Sequence, residues 1–290
     1  MVYFGPNGAG KSTTMNMITG YIEPTSGTIM VDGIDMAKKP QKAKKQIGYM
    51  PEGVPLYTDL TVKEFVTYMA EIKKVDRKIR KQKVDEIICQ TGLKEVEKKL
   101  TKNLSRGYKQ RVSMAGALVG DPKILILDEP TVGLDPKQIT EIRNLIKELG
   151  KTHTVILSSH ILSEVSQICN KVIIINQGKI IAIDTPQNLE SKVAKNNSIY
   201  VTVEDPEDKM KTIQEKIPDI KQVNFIQEDE DKTKQYRIEG TEGVDLRKTL
   251  FSELAKENIT IFEMKKADTT LEDAFIQLID EGGNDHVGSH

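Results

Sequence analysis

Near the start of the chain, residues 5–13 read Gly5-Pro6-Asn7-Gly8-Ala9-Gly10-Lys11-Ser12-Thr13, and this stretch decides the fold. It fits the pattern G-x-x-x-x-G-K-[ST], whose glycines let successive backbone N–H groups point at phosphate oxygens. Residues 2–4 predict the end of a buried strand, and residues 12–18 predict a helix whose positive N-terminus faces the same phosphates. In this pattern Lys11 reaches the β- and γ-phosphates and the Ser12 hydroxyl ligates Mg²⁺. The stretch therefore predicts a strand–loop–helix unit that binds a nucleotide.

The composition narrows the class of protein. The chain has 290 residues, 38% of them hydrophobic, and a net charge of −1, so charge gives no sign of a nucleic-acid partner. Cys89 and Cys169 are isolated in sequence, which is typical of a reducing compartment. The longest apolar runs are too short to span a bilayer, and no signal peptide precedes the first strand. We therefore expect a soluble intracellular protein.

A second group of polar residues follows two further predicted strands. Residues 124–127 are an apolar strand that ends on Asp128 and Glu129. In a nucleotide site the first acid of such a pair holds the Mg²⁺ water shell and the second polarises the attacking water. The next strand, residues 154–157, leads to His160, at the end of the sheet where α/β folds bind ligands.

Between these groups lies a predicted helical region. Thr61 and Glu64 form a capping-box pattern at the start of one helix, and a second helix covers residues 77–91. The basic run over residues 73–83 is interpreted as a solvated helix face, with contact to anionic lipid headgroups as the alternative. Ser105 predicts the N-cap of a third helix.

In this order the stretches resemble one family, the ATP-binding subunits of ABC transporters, over residues 1–190. Five motifs carry the resemblance: Walker A at 5–13, the signature motif at 104–110, Walker B with its glutamate at 124–129, the D-loop at 133–136 and the switch histidine, His160. Residues 47–52 occupy the Q-loop position, and about 58–115 the helical subdomain. The resemblance implies an α/β P-loop NTPase fold.

The resemblance also implies the site residues and cofactors, ATP and Mg²⁺. Glu129 would orient the attacking water and His160 would contact the γ-phosphate. Mg²⁺ would be bound by Ser12, Glu52 and Asp128. The implied nucleotide-binding residues are Gly5, Pro6, Asn7, Gly8, Ala9, Gly10, Lys11, Ser12, Thr13, Glu52, Ser105, Gly107 and Asp135.

Three features depart from the family pattern. The signature reads LSRGYKQ rather than LSGGQ, so Ser105 and Gly107 match but Arg106 replaces a glycine. Glu52 stands where glutamine is usual, and it adds a negative charge. The family carries two more strands and an adenine-stacking aromatic upstream of Walker A. We therefore expect residues 2–4 to have one unpaired side, and ATP to bind without base stacking unless another aromatic replaces it.

The resemblance implies how such a chain works. Two copies would form a head-to-tail homodimer, each ATP lying between Walker A of one copy and the signature of the other. ATP hydrolysis would power a separate integral membrane permease, with the ATPase peripheral on the cytoplasmic face of the membrane and no nucleic-acid partner. The alternative is a soluble ABC ATPase that acts on ribosomes or DNA. The transported substrate is not readable from this chain.

Residues 198–283 predict a second, smaller domain. After a linker at 191–197, apolar patterning predicts the order β-α-β-β-α-β, which is that of a ferredoxin-like α+β domain. A last helix at 271–279 and a tail at 284–290 would follow. This domain resembles the C-terminal extension of ABC-2-type export ATPases, which favours export; a regulatory or dimer-stabilising role is the hypothesis.

Overall fold

The computed structural model describes residues 1–53, 56–161, 168–193, 197–204, 209–229, 233–241 and 243–266. The chain divides into two compact units, Met1–Pro186 and Gln187–His290. The predicted last helix at 271–279 and the tail at 284–290 lie outside the described residues.

The first unit is an α/β unit built on a six-stranded sheet. The strands of this unit, which include a separate two-stranded hairpin, are β1 Val2–Phe4, β2 Met30–Val31, β3 Ile34–Asp35, β4 Ile47–Met50, β5 Ile124–Leu127, β6 Thr154–Ser159, β7 Val172–Asn176 and β8 Lys179–Asp184. Its helices are α1 Lys11–Ile18, α2 Pro40–Lys45, α3 Val62–Ile72, α4 Arg77–Gln90, α5 Arg106–Leu118 and α6 Pro136–Leu149. The main sheet has the order β4-β5-β6-β1-β7-β8, while β2 and β3 form a separate hairpin.

The first strand lies inside the sheet, with neighbours on both sides. Val2 pairs in parallel with Leu157 of β6 and with Val172 of β7. The prediction that residues 2–4 have one unpaired side is therefore wrong. The reason is topological: β7, which comes much later in the sequence, lies beside β1 in the sheet and pairs with the edge that was expected to be free.

The sheet brings the predicted site residues to one edge. Strands β4, β5, β6, β1 and β7 run parallel, and β8 returns antiparallel to β7. Because the carboxyl ends of parallel strands share one edge, the loop after β1, the acids after β5 and His160 after β6 meet there.

A helical group of α3, α4 and α5 packs beside this sheet, and its start is well defined. Thr61 Oγ1 accepts from the Glu64 N–H at 3.2 Å, while Glu64 Oε2 accepts from the Thr61 N–H at 2.8 Å, so the predicted capping box is present. Helix α5 lies close on β4: a Cβ at Gly48 would collide with the Ala117 carbonyl oxygen and lie 2.9 Å from Pro122 Cγ.

One residue of the basic run is not a solvated charge. Lys73 is half-buried at the end of α3, and its ammonium donates to the Ala117 carbonyl oxygen at 2.9 Å. Burial lowers the pKa of Lys73 to about 8. Lys74, Arg77, Lys78 and Lys81 are exposed, as predicted for a solvated face, whereas Arg80 and Lys83 are half-buried and form ion pairs with Glu71 and Glu86.

The second unit is a ferredoxin-like α+β unit. Its elements are β9 Asn197–Glu204, α8 Met210–Lys216, β10 Ile220–Glu228, β11 Thr233–Gly240, α9 Arg247–Lys256 and β12 Thr260–Lys266. The sheet order is β10-β11-β9-β12 and the pairs are antiparallel, as the β-α-β-β-α-β order requires. Side chains that alternate along β9, Ile199, Val201 and Val203, form its core with Leu250 and Leu254 of α9.

The predicted linker at 191–197 needs correction. Helix α7, Pro186–Val193, occupies its first part, and β9 already begins at Asn197. Pro186 at the first helical position favours the helix, and the fully buried Leu189 anchors it. The sequence did not predict this helix because most of its residues are polar and show no apolar periodicity.

Candidate active site

The phosphate loop joins β1 to α1 in the geometry that its glycines allow. Gly8 and Gly10 have φ angles of 81° and 104°, a region that side chains disfavour. Gly5 passes so close to β7 that a Cβ there would collide with the Ile175 carbonyl oxygen. The loop therefore needs glycine for conformation at two positions and for space at a third, and it leaves the free N–H groups of α1 facing outward.

Lys11 is held at the base of this loop. Its Nζ donates to the Gly5 carbonyl oxygen at 2.8 Å and to the Pro6 carbonyl oxygen at 3.2 Å. The same Nζ lies 3.7 Å from Glu129 Oε1, and both side chains are buried. The lysine charge is therefore positioned between the loop and the acid that follows β5.

The two acids after β5 are held by a serine that sequence reasoning did not assign a role. Ser158 is fully buried at the end of β6; its hydroxyl donates to Asp128 Oδ1 at 2.5 Å and accepts from the Glu129 N–H at 2.9 Å. Leu127 and Leu157 are paired in the sheet, so Asp128 and Ser158 are the next residues along adjacent strands. A hydroxyl directly after the strand, two residues before His160, was the signal available in the sequence.

Glu129 adopts an unusual backbone conformation at the centre of the site. Its φ is +49°, a left-handed conformation that non-glycine residues seldom adopt. Its Oε2 atom lies 2.9 Å from His160 Nδ1, and its side chain is buried at 6% exposure. The carboxylate therefore contacts Lys11 through one oxygen and His160 through the other.

These groups border one open cavity of about 390 Å³. Its lining consists of Asn7, Gly8, Gly10, Lys11, Ser12, Thr13, Glu52, Glu129, Val132 and His160. The sequence predicted all of these residues except Val132. Gly5, Pro6 and Ala9 belong to the loop beneath the cavity. Among these lining residues none is aromatic, and the expectation of ATP binding without base stacking stays a prediction.

Behind the cavity lining, a buried acid adds an oxygen ligand of the kind that Mg²⁺ prefers: Ser12 borders the cavity, and Asp128, which is buried, lies next to it. Ser12 Oγ donates to Asp128 Oδ1 at 3.4 Å, so a hydroxyl and a carboxylate oxygen lie side by side. Burial, and then the nearby Asp128 charge, raise the pKa of Tyr49 to about 12, which keeps the phenol neutral beside the acid. Within the described residues no cluster of three or more His, Cys, Asp or Glu forms a protein-only metal site.

Three predicted residues lie elsewhere. Ser105, Gly107 and Asp135 line a second cavity of about 570 Å³, between the start of α5 and the start of α6. Ser105 Oγ accepts from the Tyr108 N–H at 3.4 Å and Asp135 Oδ1 accepts from the Gln138 N–H at 2.8 Å, so both cap helices. One copy of the chain therefore does not bring its signature residues to its own phosphate loop.

Two protein-family models match parts of this sequence. A family model described as "ABC transporter" matches residues 1–132, and one described as "AAA domain, putative AbiEii toxin, Type IV TA system" matches residues 99–166. Among the described residues, no helix has the length and hydropathy needed to cross a membrane.

Curated relatives and a solved structure also resemble ABC transporter proteins, in agreement with the family model that matches residues 1–132. The linearmycin resistance ATP-binding protein LnrL of Bacillus subtilis is 39% identical over 69% of this chain, which spans 64% of LnrL. The uncharacterized ABC transporter ATP-binding protein YhcH of the same species is 33% identical over 96% of this chain and 86% of its own length. Matched A-family ABC transporters of Arabidopsis thaliana are covered over only about 30% of their length.

The solved structure is the ATP-binding cassette MJ0796, a dimer in a post-hydrolysis state bound to ADP and Pi. It is 27% identical, with a TM-score of 0.57, and the match covers 63% of this chain and 84% of that one. The phosphate loop, the buried acid pair and the histidine lie together at the carboxyl edge of the parallel sheet. In addition, the relative YhcH matches 96% of this chain. This chain therefore belongs to the ATP-binding proteins of ABC transporters, which are ATPases.

Proposed function

We propose that two copies of this chain share two ATP sites and that ATP hydrolysis there powers a separate membrane permease. The observation that carries this proposal is the division of the site residues between two cavities. The phosphate loop, Glu129 and His160 border one, whereas Ser105, Gly107 and Asp135 border the other. A second copy could place its Ser105 end over the phosphate cavity of the first.

Each residue around the first cavity has a proposed role. Lys11 and the N–H groups of the loop bind the phosphates, and Glu129 orients the attacking water, with its carboxylate positioned by His160. Ser12, Asp128 and Glu52 would hold Mg²⁺, which neutralises phosphate charge when bound. His160 would also contact the γ-phosphate.

The second copy supplies what this arrangement lacks. Phosphoryl transfer needs positive groups around the γ-phosphate more than covalent help. The N-terminus of α5, capped by Ser105, offers N–H groups and a positive helix end for that purpose. The dimeric form of the related cassette MJ0796, bound to ADP and Pi, supports such a pairing.

The transport role rests on the relatives. LnrL is named for resistance to linearmycin, and YhcH is named as the ATP-binding protein of a transporter. We infer that this chain works at the cytoplasmic face of a membrane, with an integral permease as its partner and export as the direction. The comparisons give no support to the alternative of an ATPase that acts on ribosomes or DNA.

Substitution of Glu129 tests the shared site. Glu129→Gln keeps the size of the side chain but removes the charge that orients water, so we expect hydrolysis to fall by about 10²–10⁴-fold. ATP binding should persist, and the uncleaved ATP should trap a dimer. Steady-state phosphate release and analytical ultracentrifugation with and without MgATP measure both effects.

Two further variants sharpen this test. Lys11→Ala should lose nucleotide binding itself, measured with a fluorescent ATP analogue. Glu148→Gln changes an exposed glutamate of α6 that pairs with Lys151, and it should leave both hydrolysis and dimerisation unchanged. A Glu129→Gln protein that binds ATP yet stays monomeric would contradict the shared site.

A further inference from the structure

The first residue of α5 carries an unpaired positive charge. Arg106 is exposed and, among the described residues, it has no ion-pair partner. A cation at a helix N-terminus is disfavoured by the helix dipole, so the start of α5 is an unfavourable place for the guanidinium in a single copy. The LSGGQ pattern has glycine at this position, so Arg106 adds a charge that this pattern lacks.

The arginine side chain has a defined place. Its guanidinium lies against the backbone of Gly133, where a Cβ would collide with it. Gly133 has a φ of 69° and lies in the turn that leads to Asp135 and α6. The absence of a side chain at Gly133 therefore leaves room for the Arg106 guanidinium against this turn, on the surface proposed to meet the second copy.

The phosphate cavity carries an added negative charge, Glu52, where the family pattern has an uncharged glutamine. Glu52 follows β4, borders the cavity beside the phosphate loop and is exposed. Within the described residues, no cation pairs with it. A carboxylate at this position repels the charge of a bound triphosphate, an interaction that the usual amide does not have.

We propose that Arg106 of one copy forms an ion pair with Glu52 of the other copy across the shared ATP site. The inference rests on the proposed function, since only that arrangement places the start of α5 over the phosphate cavity. The pair would account for both differences from the family pattern. The negative charge of Glu52, which repels the triphosphate, would be neutralised by Arg106 of the second copy. The five donors of a guanidinium can reach Glu52 and a phosphate oxygen together.

The symmetry of a homodimer doubles the effect. In a two-fold dimer, a contact from residue i to residue j is repeated from j to i, so two Arg106–Glu52 pairs would form. The pairs would link ATP occupancy to dimerisation, because Glu52 of a single copy meets the triphosphate without the positive side chain that the partner's Arg106 brings. They would also make this chain select copies of itself over cassettes with the usual glycine and glutamine.

Charge reversal in the Glu129→Gln background tests the pair on the full chain. We measure dimerisation at saturating MgATP by analytical ultracentrifugation for Glu52→Arg, for Arg106→Glu and for the double variant. Each single reversal should raise the dimer dissociation constant by at least about tenfold, because like charges then face each other twice. The double variant should dimerise at least about tenfold more tightly than Glu52→Arg alone, a recovery that a merely structural role of Arg106 cannot produce. Glu52 is also a proposed Mg²⁺ ligand, so the double variant is compared with Glu52→Arg rather than with the parent.

Arg77→Glu is the matched control. Arg77 is also an exposed arginine, at the first position of α4, and it has no ion-pair partner among the described residues. Its reversal should leave dimerisation unchanged, and adding it to Glu52→Arg should give no recovery. Raising NaCl from 0.05 to 0.5 M should shrink the difference between the parent and Arg106→Glu, since salt screens exposed charges.

The outcomes separate the two proposals. A parent that dimerises with MgATP, but whose double variant is as weak as the weaker single variant, overturns the ion pair and leaves the shared site standing. A parent that binds MgATP without dimerising contradicts the shared site and the pair together. Circular dichroism of each variant shows whether the fold is retained; recovery in the double variant is itself evidence that Arg106→Glu did not unfold the chain.

Discussion

Ser158 offers the sharpest test of how the site is held together. Its hydroxyl donates to Asp128 Oδ1 at 2.5 Å and accepts from the Glu129 N–H at 2.9 Å, and the residue is fully buried. Ser158→Ala removes both bonds while changing the side-chain volume little. The substitution leaves a buried N–H and a buried carboxylate oxygen without that partner.

The size of the effect follows from these two bonds. A hydrogen bond to a charged group contributes about 1.5–3 kcal/mol, and a neutral one about 1 kcal/mol. We therefore expect the free energy of unfolding to fall by about 2–4 kcal/mol. Hydrolysis should fall by about 10²-fold, because the Glu129 backbone at φ +49° loses the bond that holds it and a misplaced carboxylate orients water poorly.

The assay compares this variant with its neighbour. Ser159→Ala alters another buried serine of β6, whose hydroxyl bonds, among the described residues, with the backbone of Ile161. Urea denaturation gives the free energy of unfolding of each variant, and steady-state phosphate release gives the rate at saturating ATP. Ser159→Ala should retain most of the hydrolysis.

Two results would refute the reasoning. If Ser158→Ala lost less than about 0.5 kcal/mol of stability, the bonds of Ser158 would not be those that hold the acids. If Ser158→Ala and Ser159→Ala lowered hydrolysis equally, the effect would belong to β6 in general rather than to the contact with Asp128 and Glu129.

Three further predictions concern stability, each measured by urea denaturation. Gly48→Ala should cost about 1–3 kcal/mol because its Cβ would force β4 away from the Ala117 carbonyl oxygen, whereas Gly150→Ala, with 3.4 Å of clearance, should be close to neutral. Thr61→Ala should cost about 1 kcal/mol, since it removes the hydroxyl of the capping box; a change below a few tenths would show that the cap is dispensable. Burial lowers the pKa of Lys73 from 10.5 to about 8, so between these values the unfolded state binds more protons. The stability difference between the parent and Lys73→Met should therefore shift in favour of the parent by about 3 kcal/mol from pH 8 to pH 10.5, and an unchanged difference would contradict this.

The local elements of this chain follow from local sequence signals. The phosphate loop needs glycine where φ is positive, Thr61 and Glu64 cap α3, and Ser105 caps α5, so each could be predicted without knowledge of the rest. The alternating residues of β9 likewise predicted the core of the second unit. Helix α7 was missed because its mostly polar residues show little apolar pattern, and its buried residues Pro186 and Leu189 are too few to reveal one.

The sequence alone determined the nucleotide-binding family, the acids after β5 and His160, because backbone conformation and strand ends are properties of short stretches. Only the tertiary structure decided which distant stretches become neighbours: it paired β1 on both sides, bonded Lys73 to the Ala117 carbonyl and placed Ser158 between Asp128 and Glu129. It also put Ser105 and Asp135 on a different cavity from Lys11. The physical reason is that strand order and helix packing are set by long-range contacts, which no short stretch of sequence contains.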